Sequence, residues 1–309
     1  MPLTWRTAGR AAALALLAAA QAQAQQVPDR DFRPAIARAE YARGSGPVVC
    51  LDEAHHNFHT LAERFWAFGE LLRQDGFQVV PNTSAFDKGA LKRCAVLVIS
   101  NAQPSDDEWD QYPYPTPSAF TDAEIAAVHR WVGKGGALLL IADHMPLAGA
   151  AAKLAAAFEV EFMDGFAMRD PQSRDPDIFR TADRTLRDHV IVRGRNAQES
   201  VSSIRTFTGQ AFRAPRAEPL IVIPAGYVSL MPQKAWEFAA DTRRVPIEGW
   251  LQAAVQDAGK GRVAFFGEAA MFSAQLSGPN RQPMGMNAPG AEQNFRFTLN
   301  LLHWLTRTL

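Results

Sequence analysis

Four short runs, PVVCL (47–51), CAVLVIS (94–100), ALLLIA (137–142) and GRVAFFG (261–267), hold almost nothing but apolar residues. They constrain the chain more than any other feature. A strand with one face in water alternates polar and apolar residues; these do not, so each must be buried on both faces, as in a parallel sheet with helices on either side. The segments between them fit that demand. FHTLAERFWAFGELLRQDG (58–76), DAEIAAVHRWVGKGG (122–136) and MPLAGAAAKLAAAFE (145–159) carry apolar residues at helical spacing. Thr121 with Glu124 three residues on predicts a capping box, and Gly135-Gly136 closes that helix. Strand after helix after strand gives an α/β fold with a mostly parallel sheet.

The ends and the middle are less regular. Arg6 and Arg10 precede an Ala/Leu run that stops at Ala22-Gln23-Ala24, the pattern of a cleaved secretory signal over 1–24. A periplasmic or secreted protein beginning near Gln25 is therefore expected. Residues 25–46 read as a linker or strap, and 47–309 as a single domain with a less regular insertion around 160–220, where HVIV and SSIRTF look β-like. EPLIVIP reads as a strand and NFRFTLNLLHWLTRTL as a terminal amphipathic helix. The chain carries 32 basic and 32 acidic side chains, a balance that argues against a nucleic-acid partner. No later run is long enough to span a membrane. Cys50 and Cys94 are expected as two buried free thiols, because they read as lying near opposite ends of neighbouring strands.

In an open parallel sheet, ligands bind beyond the carboxyl ends of the strands. PVVCL runs into Asp52, Glu53, His55, His56 and Asn57; CAVLVIS into Asn101; ALLLIA into Asp143 and His144; GRVAFFG into Glu268. Singly, each has an ordinary structural use as a cap or turn residue. Together they place acids, imidazoles and amides at one edge, and a site follows: Asp143, His144, Glu268 and His56 for acid–base chemistry, with Asp52, Glu53, His55, Asn57, Asn101 and Asn287 for binding. His59 is expected on the solvated side of the first helix, and His129, His189 and His303 stand apart from the cluster. The loop with Gly285, Met286 and Asn287 is expected as a mobile lid. Trp109, Tyr112 and Tyr114 of DDEWDQYPYP offer a stacking wall for a sugar ring.

The frame GPVVCLDEAHHNFHT…GELLRQDGFQVV…AVLVIS…FTDAEIAAVHRWVGKGGALLLIADHMPLAGAAAKLAAAF, with GRVAFFGEAAMFSAQ and GMNAPGAEQNFRFTLNLLHWL at the end, resembles the class I glutamine amidotransferase-like superfamily. Within it the chain is similar to a bacterial branch related to the gliding-motility and intraflagellar-transport domain, and more distantly to trehalose-utilisation-type proteins. The resemblance implies a flavodoxin-like three-layer sandwich. Glutamine-hydrolysing members carry a cysteine at the elbow after the strand matching ALLLIA; Ala142, Asp143 and His144 stand there, so a glutaminase is not expected.

Three readings of the cluster remain. The first is a hydrolase working by acid–base chemistry on a sugar or ester. The second is a non-catalytic small-molecule or carbohydrate-binding or assembly module that has lost the nucleophile. In the third, Asp52, His55, His56, Asp143 and His144 hold a divalent metal such as zinc or manganese, although no named metal motif is present.

Overall fold

The computed structural model describes residues 26–107, 111–173 and 175–309; the expected signal segment and Trp109 lie outside them. The largest sheet has its parallel core in β2 (Val48–Asp52), β3 (Gln78–Asn82), β4 (Val96–Ser100), β5 (Ala137–Ile141) and β15 (Gly261–Phe266). The order runs β3-β2-β4-β5-β15, so the four apolar runs are consecutive neighbours in space. Beyond β15 the sheet turns antiparallel through β14 (Leu251–Ala258), which carries β10 (Phe212–Arg213) and then β6 (Glu161–Phe162), and also β11 (Glu218–Val222). The fold is thus mixed α/β around a parallel core.

Successive side chains of a strand point to opposite faces, and here each face has its own helices. Val49, Leu51, Val98, Leu139 and Phe266 pack with Phe68 and Leu72 of α1 (Trp66–Gln74) and Phe297 and Leu301 of α6 (Asn294–Leu305). Cys50, Leu97, Leu138, Leu140 and Phe265 pack with Val128 and Val132 of α3 (Asp122–Gly133) and Leu154 of α4 (Leu147–Ala156). Thr121 and Glu124 form both halves of the capping box at α3. Two short helices, α2 (Lys88–Leu91) and α5 (Val190–Arg193), are also present among the described residues. HVIV, expected as β-like, is the turn of α5, capped by the His189 imidazole accepting from the Ile191 N–H.

Smaller sheets surround the core. β7 (Phe166–Arg169), β12 (Tyr227–Met231) and β13 (Arg243–Pro246) form one, and β8 (Asp177–Arg180) with β9 (Ser203–Thr206) another. The third joins β1 (Val27–Pro28) to a hairpin of β16 (Ala274–Ser277) and β17 (Gln282–Gly285). The lid loop is therefore partly a strand. Gly285 ends β17 at φ 109° against the Ser273 carbonyl, where a side chain has no room, and Met286 is buried.

Cys50 and Cys94 form a disulfide, with Cα atoms 5.7 Å apart, not two free thiols. Cys50 stands opposite Leu97 in the parallel ladder, and Cys94 lies three residues before Leu97, in the turn after α2. Both sulfurs thus belong to one strand pair and one face. The bridge closes a loop of 44 residues; replacing both cysteines with alanine is expected to lower the unfolding free energy by about 2–4 kcal/mol. Denaturant melts of the oxidised protein and the variant measure this.

Candidate functional site

The stretch after β2 divides into two structures. Asp52, fully buried, receives His55 Nδ1 at 2.9 Å on both carboxylate oxygens, and His55 Nε2 lies 2.9 Å from Glu124 Oε1. Glu124 is the capping-box acid of α3, and it also accepts from the Phe86 N–H. Burial works against charge on both groups; the hydrogen bonds win, raising His55 above its usual 6.5 and holding Glu124 down at about 2. Asn57 accepts from the His55 N–H and donates to the Ser100 carbonyl, and Glu53 accepts from the Leu61 N–H at 2.7 Å. Asp52, Glu53, His55, Asn57 and Glu124 tie β2 to α3 and to the following loop. His56, at φ 48°, turns outward to the exposed Asp106. None of these residues lines the cavity described next. Among the described residues no three His, Cys, Asp or Glu side chains are grouped to hold a metal ion.

The cavity lies at the carboxyl ends of β4 and β5. It has a volume of about 40 Å³ and is lined by Asn101, Asp143, His144, His59 and Gln275, with Gln26 and Met284 over it. That space fits a water molecule, not a substrate ring. Asn101, at φ 49°, accepts from the Asp143 N–H through Oδ1 and so locks the ends of β4 and β5 together. Burial raises the Asp143 carboxyl, against the opposing pull of His144, of the His144 and Ala269 N–H groups and of the Asn101 amide. Glu268, 1% exposed, lies beneath and accepts from the Ala270 and Met271 N–H groups. Burial and the neighbouring Asp143 push it well above the carboxylate range. Two coupled acids of this kind resist being ionised together.

His144 Nδ1 is 2.7 Å from the Met145 carbonyl, which only accepts, so the proton sits on Nδ1. The ring stacks on Phe166 at 4.5 Å, with Trp236 edge-on at 4.8 Å. Asp164, which the sequence did not single out, adds another raised carboxyl near His144; burial is its main cause, offset by bonds from Thr116 and the Gly149 N–H.

His59 was expected in solvent and is 3% exposed. The first helix begins only at Trp66, and residues 58–65 double back: Arg64 lies 3.8 Å over the Phe58 ring and donates to the Phe58 carbonyl. The loop carries His59 onto the sheet edge, stacked on Phe65, with Nδ1 2.9 Å from Ser100 Oγ. Burial, aided by Arg64, holds this imidazole well below 6.5, hence neutral. Asn287, expected as a binding residue, instead donates to Asp29 and to the Gln275 carbonyl, fastening the N-terminal strand to the hairpin. Tyr112 bonds back to its own loop through the Ser105 and Asp107 carbonyls, and Tyr114 is exposed.

No known family profile and no curated protein sequence matches the chain. Solved structures do. The mmIFT52 N-terminal domain superposes with a TM-score of 0.56 at 12% identity, covering 84% of this chain and 97% of that one. Cytoplasmic Protein STM3548 from Salmonella typhimurium gives 0.50 at 15% identity, with coverages of 84% and 98%. A thuA-like protein from Bacteroides uniformis gives 0.43 at 14% identity, covering 89% and 95%. At these identities the first two likenesses speak for the fold alone.

Proposed function

We propose that the protein is an exported hydrolase whose acid–base site is the cavity beyond β4 and β5, built on a flavodoxin-like frame of the class I amidotransferase-like kind. One observation carries the reading: Asp143 and His59 line the same buried cavity with their affinities for protons displaced toward each other, carboxyl up and imidazole down. Groups pushed in that way can serve as acid and base in one step. Neutral His59 takes a proton from a water molecule as its oxygen attacks the sugar or ester carbon. The bond to the leaving oxygen breaks, its electron pair stays on that oxygen, and protonated Asp143 supplies the proton. His144 and Asn101 position the acid. Glu268, raised by its own burial and by Asp143, stays uncharged beside the acid.

Glutamine hydrolysis through a thiolate has no support, since both cysteines are joined to each other and Asp143 and His144 occupy the elbow. The buried disulfide fits an oxidising compartment, and among the described residues no helix is long and apolar enough to cross a membrane.

The test is turnover of p-nitrophenyl glycosides and p-nitrophenyl esters as a function of pH. Activity is expected to rise as His59 loses its proton, below 6.5, and to fall as Asp143 ionises, above 3.8. The profile is therefore a bell whose rising limb lies below pH 6.5. A panel with no turnover at any pH, or turnover still climbing at alkaline pH, would overturn the reading.

A further inference from the structure

Gln275 sits on β16, 1% exposed, and lines the cavity beside His59, Asn101 and Asp143. Its amide orientation is fixed by a chain of bonds. The Ser273 hydroxyl donates to the Ala270 carbonyl at 2.9 Å, so its oxygen is left to accept, and Gln275 Nε2 donates to it at 2.8 Å. Oε1 must then be the other end of the amide. It is buried and has no hydrogen-bond partner among the described residues. In the sheet Gln275 stands between Pro28 of β1 and Met284 of β17. A buried acceptor without a donor is unfavourable, and proteins rarely keep one without a use.

We propose that Gln275 is the specificity-determining residue of the site, with Oε1 accepting from a hydroxyl of the substrate, so that the site takes a sugar rather than a simple ester. This rests on the cavity being the acid–base site and names its substrate class. Two further neutral amides, Gln26 and Asn101, line the same cavity. Amides match hydroxyls, which both donate and accept, and they leave a charged ligand without a counter-charge. At about 40 Å³ the cavity as it stands holds a water molecule, so a ring reaches Oε1 only when its wall opens. A site arranged to bond a hydroxyl rejects an analogue lacking it strongly, because its own polar group is then left unpaired.

The experiment measures thermal-unfolding shifts of the full chain with D-glucose, D-galactose and D-mannose, alongside turnover of the corresponding p-nitrophenyl hexosides and of p-nitrophenyl acetate. Wild type, Gln275→Met, Gln275→Glu and Asp143→Asn are compared. At least one hexose is expected to raise the melting temperature of wild type. Gln275→Met should bind it at least tenfold more weakly while melting no lower than wild type without sugar, since the orphaned acceptor is gone. Gln275→Glu, which keeps an acceptor, should retain binding. No shift with any hexose in wild type, or unchanged binding in Gln275→Met, overturns the proposal. Should Gln275→Met fail to fold, a loss of hexose binding in Gln275→Glu overturns it and retention supports it. Sugar binding that depends on Gln275 without any turnover would sustain this inference and sink the hydrolase reading. Ester turnover that depends on Asp143 with no hexose bound would do the reverse.

Discussion

Asp143→Asn is expected to lower turnover by about 10²–10⁴-fold, the usual contribution of a positioned acid, without loss of stability at pH 7. Asparagine keeps the shape and keeps an oxygen to accept from the His144 N–H, which is bonded at 3.0 Å in the wild type. It has no proton to give. The stability half follows from the direction of the shift. A carboxyl raised in the folded state above its unfolded value of 3.8 adds stability that is complete below that value and is lost as pH rises through the folded one. Below the folded value the wild-type carboxyl is as neutral as asparagine, and above it the raised carboxylate is a cost that asparagine removes, so stability is unchanged or raised on either side. Steady-state rates and thermal melts on one preparation read both halves.

His55→Ala should behave in the opposite way, losing about 3–5 kcal/mol, as expected when one partner of a buried charged network is removed, while folded variant retains turnover. Its imidazole bridges Asp52 and Glu124 at 2.9 Å on both sides, and the cut leaves a fully buried Asp52 without its partner. The wild-type pH profile carries the same signature. His55, raised above 6.5, contributes stability that is complete below 6.5 and lost as pH climbs through its folded value. Glu124 contributes stability present above 4.5 and lost as pH falls toward about 2. The network is strongest between those limits, and urea melts across that range should show a plateau that His55→Ala lacks.

The parallel core was legible because apolar runs such as ALLLIA leave a chain few alternatives, and the glycines and the Thr121 cap mark where helices end and begin. β14 was not legible. LQAAVQDA is rich in Ala and Gln, residues of low strand propensity, and it is a strand because β15 and β11 flank it. Strand ends pointed to one edge of the sheet, where the cavity lies, yet not to which residues face inward. Asp52 and His55 look like a site by type, but their hydrogen bonds are satisfied within the scaffold. His59 looks like one more polar residue of an amphipathic helix and reaches the cavity only because residues 58–65 fold back. Pairing of Cys50 with Cys94 depended on ladder register, which apolar content does not encode. Gln275 and Asp164 gave no signal beyond being polar, since what sets them apart is the cavity and carboxyl cluster around them.

Asp143, on this reading, is an acid held protonated above the normal carboxylate range by its burial. Titration of its side-chain carboxyl carbon by NMR tests this directly, in the wild type and in Glu268→Gln. The expected midpoint lies above 3.8 in the wild type and stays there in Glu268→Gln, because Glu268, raised well above its usual value, is uncharged where Asp143 titrates. A wild-type midpoint at or below 3.8 would contradict the reading.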